Sequence, residues 1–368
     1  MKVIVTLVGG QSLPVYLGIK EFNPDKLVFL SSKDSKQKLT DIKSLLQGHS
    51  FHEFECDPFE FESVVKQCES IISKFKTDEI IFNLTGGTKI MVLAVQSIIQ
   101  KLNLSGFYLN QDNSVLLIPA YKKQKITYSI TIDEFFQLSG HKLTSFTEYK
   151  DISKTDIKVS HDILTWATND NRYTTVTKHF RSKFKNTNHI PSSGDEKFGN
   201  AFHVKWDVNT VQIAQKNKSI ISFKSSNIKS LFFNAGWWEM VVAEELSKWS
   251  GATQILINCE LPFRSDASMM KNEIDILLNA DNKLVFVECK SGNVVQADIN
   301  KMNTIKKTYG GVISKAILVS RYLPNSGIIE KCKELDIEVF ASTFSRKQPP
   351  SFKNLIKQIG KQLKRSSM

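Results

Sequence analysis

Residues 272–290 read NEIDILLNADNKLVFVECK, and within them an aspartate, a glutamate and a lysine stand at Asp275, Glu288 and Lys290. Two apolar runs flank Asn279-Ala280-Asp281-Asn282, which predicts two β-strands joined by a tight turn. With Asp281 and Asn282 as the loop, Ala280 faces Lys283, and counting outward sets Asp275 opposite Glu288. Opposed residues of an antiparallel pair have Cβ atoms about 5 Å apart. Two carboxylates so close repel unless a divalent cation lies between them. Lys290, two residues past Glu288, leaves its strand on the same face. Two acids able to hold a metal and one cation, on one face, are apparatus for phosphodiester hydrolysis. The plainer alternative is an exposed hairpin carrying a salt bridge. Against it, Val285-Phe286-Val287 is apolar on both faces, which predicts a central, buried strand. An Asp–Glu–Lys cluster buried there is costly without a task.

Further elements must position these groups. GWWEMVVAEELSKW, residues 236–249, reads as a helix with Val242, Ala243 and Leu246 at helical spacing. Glu239 precedes these by three, four and seven residues, so it lies on the core-facing stripe. It is a candidate metal ligand or a group behind one; the alternative is a helix-start charge favoured by the dipole. Glu244 and Glu245 are weaker candidates, and Glu273 is expected to face away from Asp275. Past the hairpin, AILVSRYLP, GIIEKCKELD and IEVFAS supply a strand, a helix and a strand. Arg321, leaving the end of the first of these, is a candidate phosphate contact, with a surface charge as the plainer reading.

IDILL followed by VECK resembles the PD-(D/E)xK nuclease motif, with Ile274 in place of the nominal proline. The resemblance implies that Asp275 and Glu288 hold Mg²⁺ or Mn²⁺ and that the Cys289 backbone carbonyl adds a ligand. It also implies that Lys290 orients the attacking water and offsets charge on the phosphate. A glutamate on the first helix, here Glu239, often lies near the metal in that superfamily.

The first 140 residues have a different rhythm. Strand-like VIVTLV, KLVFLSS, FHEFEC, EIIFNL, GFYL and VLLIP alternate with helical patterns, which predicts a parallel, doubly wound sheet with helices on both faces. Ligands of such sheets bind beyond the carboxyl ends of the strands, where strand order reverses. Two loops at those ends carry paired glycines: Gly9-Gly10-Gln11-Ser12, with Pro14 at a helix start, and Thr85-Gly86-Gly87-Thr88-Lys89, opening an apolar helix. Paired glycines admit close backbone approach, and helix-start amides attract phosphate. Neither loop is GxGxxG or GxxxxGK[ST], so NAD and ATP are poorly supported. Taken singly, each glycine pair is as well explained by a tight turn.

NLTGGTKIM on a doubly wound pattern resembles the CARF domains of CRISPR-associated proteins. Joined to a carboxy-terminal PD-(D/E)xK domain, the chain resembles the ancillary nucleases of type III CRISPR systems, which serve antiviral defence. The resemblance covers residues 1–140 and 225–345. It implies a Rossmann-like CARF domain that dimerises and binds a cyclic oligoadenylate, most often cyclic tetra-adenylate, across the dimer axis. It further implies a restriction-endonuclease-like domain cleaving single-stranded RNA or DNA, or nicking duplex DNA. By motif match, Thr85, Gly86, Gly87, Thr88 and Lys89 carry over as ligand-binding; Gly10, Gln11 and Ser12 match less closely.

The chain's 368 residues allow two or three cored domains. A net charge of +12 favours an anionic partner, nucleic acid or membrane surface. No apolar run approaches the roughly 18 residues that cross a bilayer, and MKVIVTLVGGQSLP reads as a first strand rather than a signal peptide. Five scattered cysteines without CxxC pairs fit a reduced cytoplasm. Residues 141–224 are expected to form a linker and small connecting region. Within it Arg172, Tyr173, Lys178, Phe180, Arg181, Lys183, Phe184 and Lys185 interleave basic and aromatic residues, suiting either strand binding or a solvated basic face. PSSGDEKFGN, 191–200, reads as a loop. Residues 346–368 form a basic amphipathic helix with Leu355, Ile359 and Leu363 on one stripe, placed to dock on the nuclease domain, touch nucleic acid or fray. The expected protein is a homodimeric, cytoplasmic nuclease gated by cyclic oligoadenylate. Two other readings are a ligand-gated nucleic-acid-binding regulator without cleavage and a ligand-independent restriction or repair nuclease.

Overall fold

The computed structural model describes residues 1–185, 187–199, 201–262, 270–310, 314–344 and 348–365. The chain divides into two compact units, Met1–Leu143 with Lys364–Met368, and Thr144–Leu363.

In the first unit strands and helices alternate: β1 (Lys2–Val8), α1 (Ser12–Phe22), β2 (Lys26–Ser31), α2 (Lys36–Ser44), β3 (Ser50–Glu55), α3 (Phe61–Lys74), β4 (Glu79–Asn83), α4 (Lys89–Leu102) and β5 (Ser105–Asn110). β6 (Ser114–Ile118), β7 (Lys122–Lys125) and α5 (Ile132–Leu138) follow. The sheet runs β3-β2-β1-β4-β5-β6-β7. It is parallel from β3 to β5 and antiparallel beyond. β1 is buried along nearly its whole length because helices cover both faces of the sheet. α4 forms because Met91, Ala94, Val95, Ile98 and Ile99 make one buried stripe. It begins where the Thr88 hydroxyl accepts the Met91 N–H at 3.2 Å, and it ends at Asn103 with φ 53°. Strand order reverses between the neighbours β1 and β4, so the two glycine-paired loops leave adjacent strand ends at the switch point.

The second unit opens with β8 (Ser145–Glu148), α6 (Lys154–Asn169) and α7 (Arg172–Phe184). β9 (Gly194–Phe198), β10 (Phe202–Trp206), β11 (Thr210–Gln215) and β12 (Lys218–Lys224) form an antiparallel sheet of four strands. The stretch read as a loop at 191–200 thus contains β9, because its register places Phe198 opposite Phe202 and Glu196 opposite Val204; residue 200 lies outside the described residues. The aromatics of α7 are core: Tyr173 and Phe180 are buried among Trp166, Trp206, Phe232 and Trp237. Arg172 is buried too, held by Asp170 at 2.6 Å and the Ser219 carbonyl at 3.3 Å. Tyr173 and Phe180 therefore offer no stacking platform, while Lys178, Arg181, Lys183 and Lys185 are exposed as a basic face.

α8 (Ile228–Phe233) and α9 (Gly236–Ser247) lead into β13 (Ala252–Pro262), β14 (Met270–Ala280) and β15 (Lys283–Lys290). Then come α10 (Gln296–Tyr309), β16 (Lys315–Tyr322), α11 (Ser326–Glu334), β17 (Ile337–Thr343) and α12 (Leu355–Arg365). This sheet runs β17-β16-β15-β14-β13-β8, antiparallel through β14 and β15 and parallel from β15 to β17. β15 is internal and buried on both faces up to Cys289, as its apolar run predicts. α12 buries Leu355, Ile359 and Leu363 in the same core as β15 and β16, so this stripe docks on its own unit; residues 346, 347 and 366–368 lie outside the described residues. Among the described residues no helix is long and apolar enough to cross a membrane.

Candidate functional site

The hairpin turn is Asp281-Asn282, both with positive φ (51° and 59°), the mirror-image turn that matches strand twist and that Asp and Asn tolerate. Ala280 pairs with Lys283, and the ladder runs outward to Ile276 opposite Val287. Asp275 and Glu288 follow one step beyond. There Glu288 and Cys289 pair with Leu318 and Val319 of β16, and the Cys289 N–H donates to Asp275 Oδ2 at 2.7 Å. Glu288 is 3 % exposed. Its Oε1 meets Lys290 Nζ at 2.7 Å and its Oε2 meets Lys301 Nζ at 3.8 Å. Lys290 also reaches Asp298 Oδ1 at 3.3 Å.

Electrostatics mark the cluster as crowded with negative charge. Burial, then the neighbouring Glu288, pushes the Asp275 carboxyl up to about 7; the Cys289 amide, Lys290 and Lys301 pull the other way. Burial, then Asp275, Glu273 and Glu288, pushes Glu239 well above the carboxylate range, with Lys290 opposing. Burial disfavours the Lys290 ammonium, yet Glu288, Asp275 and Asp298 hold it above the ordinary lysine value. The Cys289 thiol is pushed well up by burial and the surrounding acids, which removes it as a nucleophile.

Glu239 sits in the first turn of α9, whose Trp237, Trp238, Val242, Ala243 and Leu246 are buried. The Trp238 indole donates to the Val319 carbonyl at 3.2 Å, tying α9 to the strand beside β15. Glu273 departs from expectation. Residues two apart on a strand share a face, and its charge falls on Glu239 together with that of Asp275. Arg321 departs as well: it is 4 % exposed, stacked near Trp237 and Tyr322 and bonded to Thr168 Oγ1 at 3.1 Å. It is a structural cation, neither a surface charge nor a phosphate contact. Asp298 and Lys301, on α10, escape a reading of the motif; their signal is a helix that follows the Glu-Cys-Lys strand and bears an acid and a base three residues apart.

Among the described residues no three His, Cys, Asp or Glu side chains stand as a ready-made ion cage. The donor set nonetheless fits a hard divalent cation. Glu288 is buried and Asp275 and Glu239 are half-buried beside it, and the mutual repulsion of these carboxylates is the kind that a bound cation relieves.

In the first unit the two glycine-paired loops interlock. A Cβ on Gly9 would come 2.6 Å from Gly87 N, and one on Gly86 would come 2.0 Å from the Leu7 carbonyl oxygen. Gly87 has φ 79°. Gly9 is thus demanded by the packing of one loop on the other and Gly86 by its seat against Leu7 of β1, whereas Gly10 is exposed with nothing near its Cβ position. Thr85 Oγ1 is turned inward, donating to Asn83 Oδ1 at 2.7 Å and accepting the Leu109 N–H at 2.9 Å. Thr88 caps α4 and donates its hydroxyl to the Pro58 carbonyl. Gln11 and Lys89 are exposed, and Ser12 is buried with its hydroxyl unpartnered among the described residues.

Comparison with known proteins bears on both units. Residues 3–135 match the model of the Card1 CARF domain, and residues 204–348 match that of the Card1-like endonuclease domain. No curated protein sequence matches the chain. In fold the chain is similar to Can2 from Sulfobacillus thermosulfidooxidans, solved with cyclic tetra-adenylate (TM-score 0.70, 18% identity, 99% of each chain covered). It is similar to VC1899 from Vibrio cholerae (TM-score 0.75, 13% identity, 100% of this chain and 98% of that one). A type III CRISPR defence DNA nuclease activated by cyclic oligoadenylate shares the fold over 97% of this chain and 51% of its own (TM-score 0.63, 14% identity). With an α/β switch-point unit followed by a hairpin that gathers two acids and a lysine, and with both domain models matched in that order, the chain belongs to the family that joins a Card1-type CARF domain to a Card1-like endonuclease domain.

Proposed function

We propose that this protein is a divalent-metal-dependent nuclease of antiviral defence, switched on by a cyclic oligoadenylate and cleaving single-stranded RNA or DNA. The observation that carries the reading is the convergence of Asp275, midway along β14, with Glu288 and Lys290 at the end of β15, where burial and then the charge of Glu288 lift Asp275. Asp275, Glu288, Glu239 and the Cys289 carbonyl would hold Mg²⁺ or Mn²⁺. When bound, such an ion stabilises charge on the scissile phosphate and acidifies a water.

The rest falls to the chain's own groups. The Cys289 N–H fixes the Asp275 carboxylate. Lys290, kept cationic by Glu288, Asp275 and Asp298, orients the attacking water and offsets charge on the phosphate. In the first unit Gly10, Gln11, Ser12 and the Thr85–Lys89 loop would receive the ligand's phosphates, and the α4 amides add partial positive charge. A ring ligand with twofold symmetry suits two copies of this platform, hence a homodimer. Gating requires that the ligand bind the competent state more tightly than the idle one.

Labelled single-stranded RNA, single-stranded DNA and plasmid, incubated with and without Mn²⁺ and cyclic tetra-adenylate, test this reading. Cleavage should need both additions, and Glu288→Ala should abolish it while ligand binding persists. Equal cutting without the ligand would leave a ligand-independent nuclease; full activity of Glu288→Ala would refute the site.

A further inference from the structure

Lys290 and Lys301 both reach Glu288, but among the described residues only Lys290 has a second acid within ion-pair distance; Lys301 acts on Asp275 from farther off. Lys290 Nζ lies 2.7 Å from Glu288 Oε1 and 3.3 Å from Asp298 Oδ1. Asp298 is itself fixed, since its other oxygen accepts the Val295 N–H at 2.9 Å and closes the start of α10. Lys301 Nζ stands 3.8 Å from Glu288 Oε2, and among the described residues no other carboxylate lies within 4.0 Å of it. Its side chain is 38% exposed, against 27% for Lys290.

The helix explains the difference. Ile299, Met302 and Ile305 bury one stripe of α10. Asp298 and Lys301, three residues apart, are neighbours on the rim of that stripe and meet the end of β15. Were Glu288 to hold a divalent cation, both ammonium groups would lose part of their partner. Lys290 remains tethered to Asp298. Lys301, loosely held and partly open to solvent, would then keep only its more distant attraction to Asp275 and stand free to meet a substrate phosphate.

We infer that Lys301 binds the phosphodiester backbone of the nucleic-acid substrate next to the scissile phosphate, while Asp298 serves as a positioning residue for Lys290. The assignment rests on the nuclease reading above. An exposed ion pair held only for its own sake would contribute little. A lysine on a substrate phosphate instead leaves a signature in salt: each such contact contributes about 0.7 to the log–log slope for a single strand.

The test uses full-length protein with cyclic tetra-adenylate, a single-stranded oligonucleotide, and the variants Lys301→Gln and Lys301→Arg. Binding is measured across a salt series with Ca²⁺ in place of Mn²⁺, and turnover is measured with Mn²⁺. Lys301→Gln should raise KM, leave kcat nearly unchanged and flatten the salt slope by about 0.7; Lys301→Arg should restore both. An unchanged slope and KM in Lys301→Gln would overturn the assignment, and so would a fall in kcat alone. If the unmutated protein binds but cuts nothing, the nuclease reading fails separately, and the slope still decides Lys301.

Discussion

Asp275 takes its hydrogen bond from the main chain of the strand that carries its partner acid: the Cys289 N–H donates to Asp275 Oδ2 at 2.7 Å. The backbone between Glu288 and Lys290 therefore orients the opposing carboxylate while the two flanking side chains stand beside it. An asparagine at 275 keeps an acceptor for that amide and removes the charge. Asp275→Asn should fold like the parent and lose metal-dependent cleavage, measured as product formed at saturating Mn²⁺. Retained cleavage would take Asp275 out of the ligand set.

The same residue predicts a pH dependence. An acid whose folded pKa lies above its unfolded value keeps its proton longer when folded, so the folded state is penalised as pH rises. For Asp275 the penalty begins near the ordinary 3.8 and is complete above about 7. Without metal, Asp275→Asn should raise Tm at pH 8 and hardly alter it at pH 4, each kcal/mol appearing as about 2–4 °C. Mn²⁺ should raise the parent's Tm at pH 8 more than that of the variant. A lower Tm for the metal-free variant at pH 8 would show that the surrounding lysines already offset the repulsion.

Gly86 and Gly10 separate packing from ligand contact. A Cβ at 86 meets the Leu7 carbonyl oxygen at 2.0 Å, whereas one at 10 meets nothing within 4 Å. Gly86→Ala should cost about 1–3 kcal/mol and lower ligand affinity with it, seen as a displaced melting transition. Gly10→Ala should melt like the parent, so any loss of cyclic tetra-adenylate affinity in it reports direct crowding of the ligand. A stable, fully binding Gly86→Ala would mean that this loop parts easily from Leu7.

Ser12 offers a cleaner probe. Its buried hydroxyl has no partner among the described residues, so removing it leaves nothing newly unsatisfied in the ligand-free protein. Ser12→Ala should therefore leave Tm unchanged and weaken cyclic tetra-adenylate binding about 3- to 10-fold, measured by calorimetry. Unchanged affinity would remove Ser12 from the platform.

Asp298 can be tested through the contrast between its two oxygens. Asp298→Asn preserves an acceptor for the Val295 N–H and loses the charge facing Lys290. It should lower kcat about tenfold with KM and Tm near the parent's, whereas Asp298→Ala should lower Tm as well. Equal kcat in the parent and Asp298→Asn would show that Glu288 alone places Lys290.

What the sequence makes legible follows from range. The Asp281-Asn282 turn and the alternation around it are local, so the hairpin register follows by counting. The parallel part of the first sheet, β3 to β5 with helices between its strands, follows from alternation, whereas the strand order and the antiparallel edge of β6 and β7 do not. Lys301 is not legible, because its approach to Glu288 depends on how α10 lies against β15. Arg321 reads as exposed because Thr168 and Trp237, the groups that enclose it, lie far away in the chain. β9 reads as a loop because Asp195, Glu196 and Lys197 fill its middle and only Phe198 is apolar, and the partner that makes it a strand comes only after the next turn. Glu273 is expected to face away from Asp275, but the pleat sends residues two apart to one side.

The pairing of Ile276 with Val287, Leu277 with Phe286 and Leu278 with Val285 buries six apolar side chains in the core. These side chains fill both faces of the sheet, so a slip of one strand by one residue would exchange its side chains between two differently packed layers. Asp275 and Glu288 therefore inherit their alignment from neighbours that touch no substrate. Any change loosening the pairing enough to misplace the acids would first be felt as lost stability, so in this hairpin a fold defect acts as the early warning of a catalytic one.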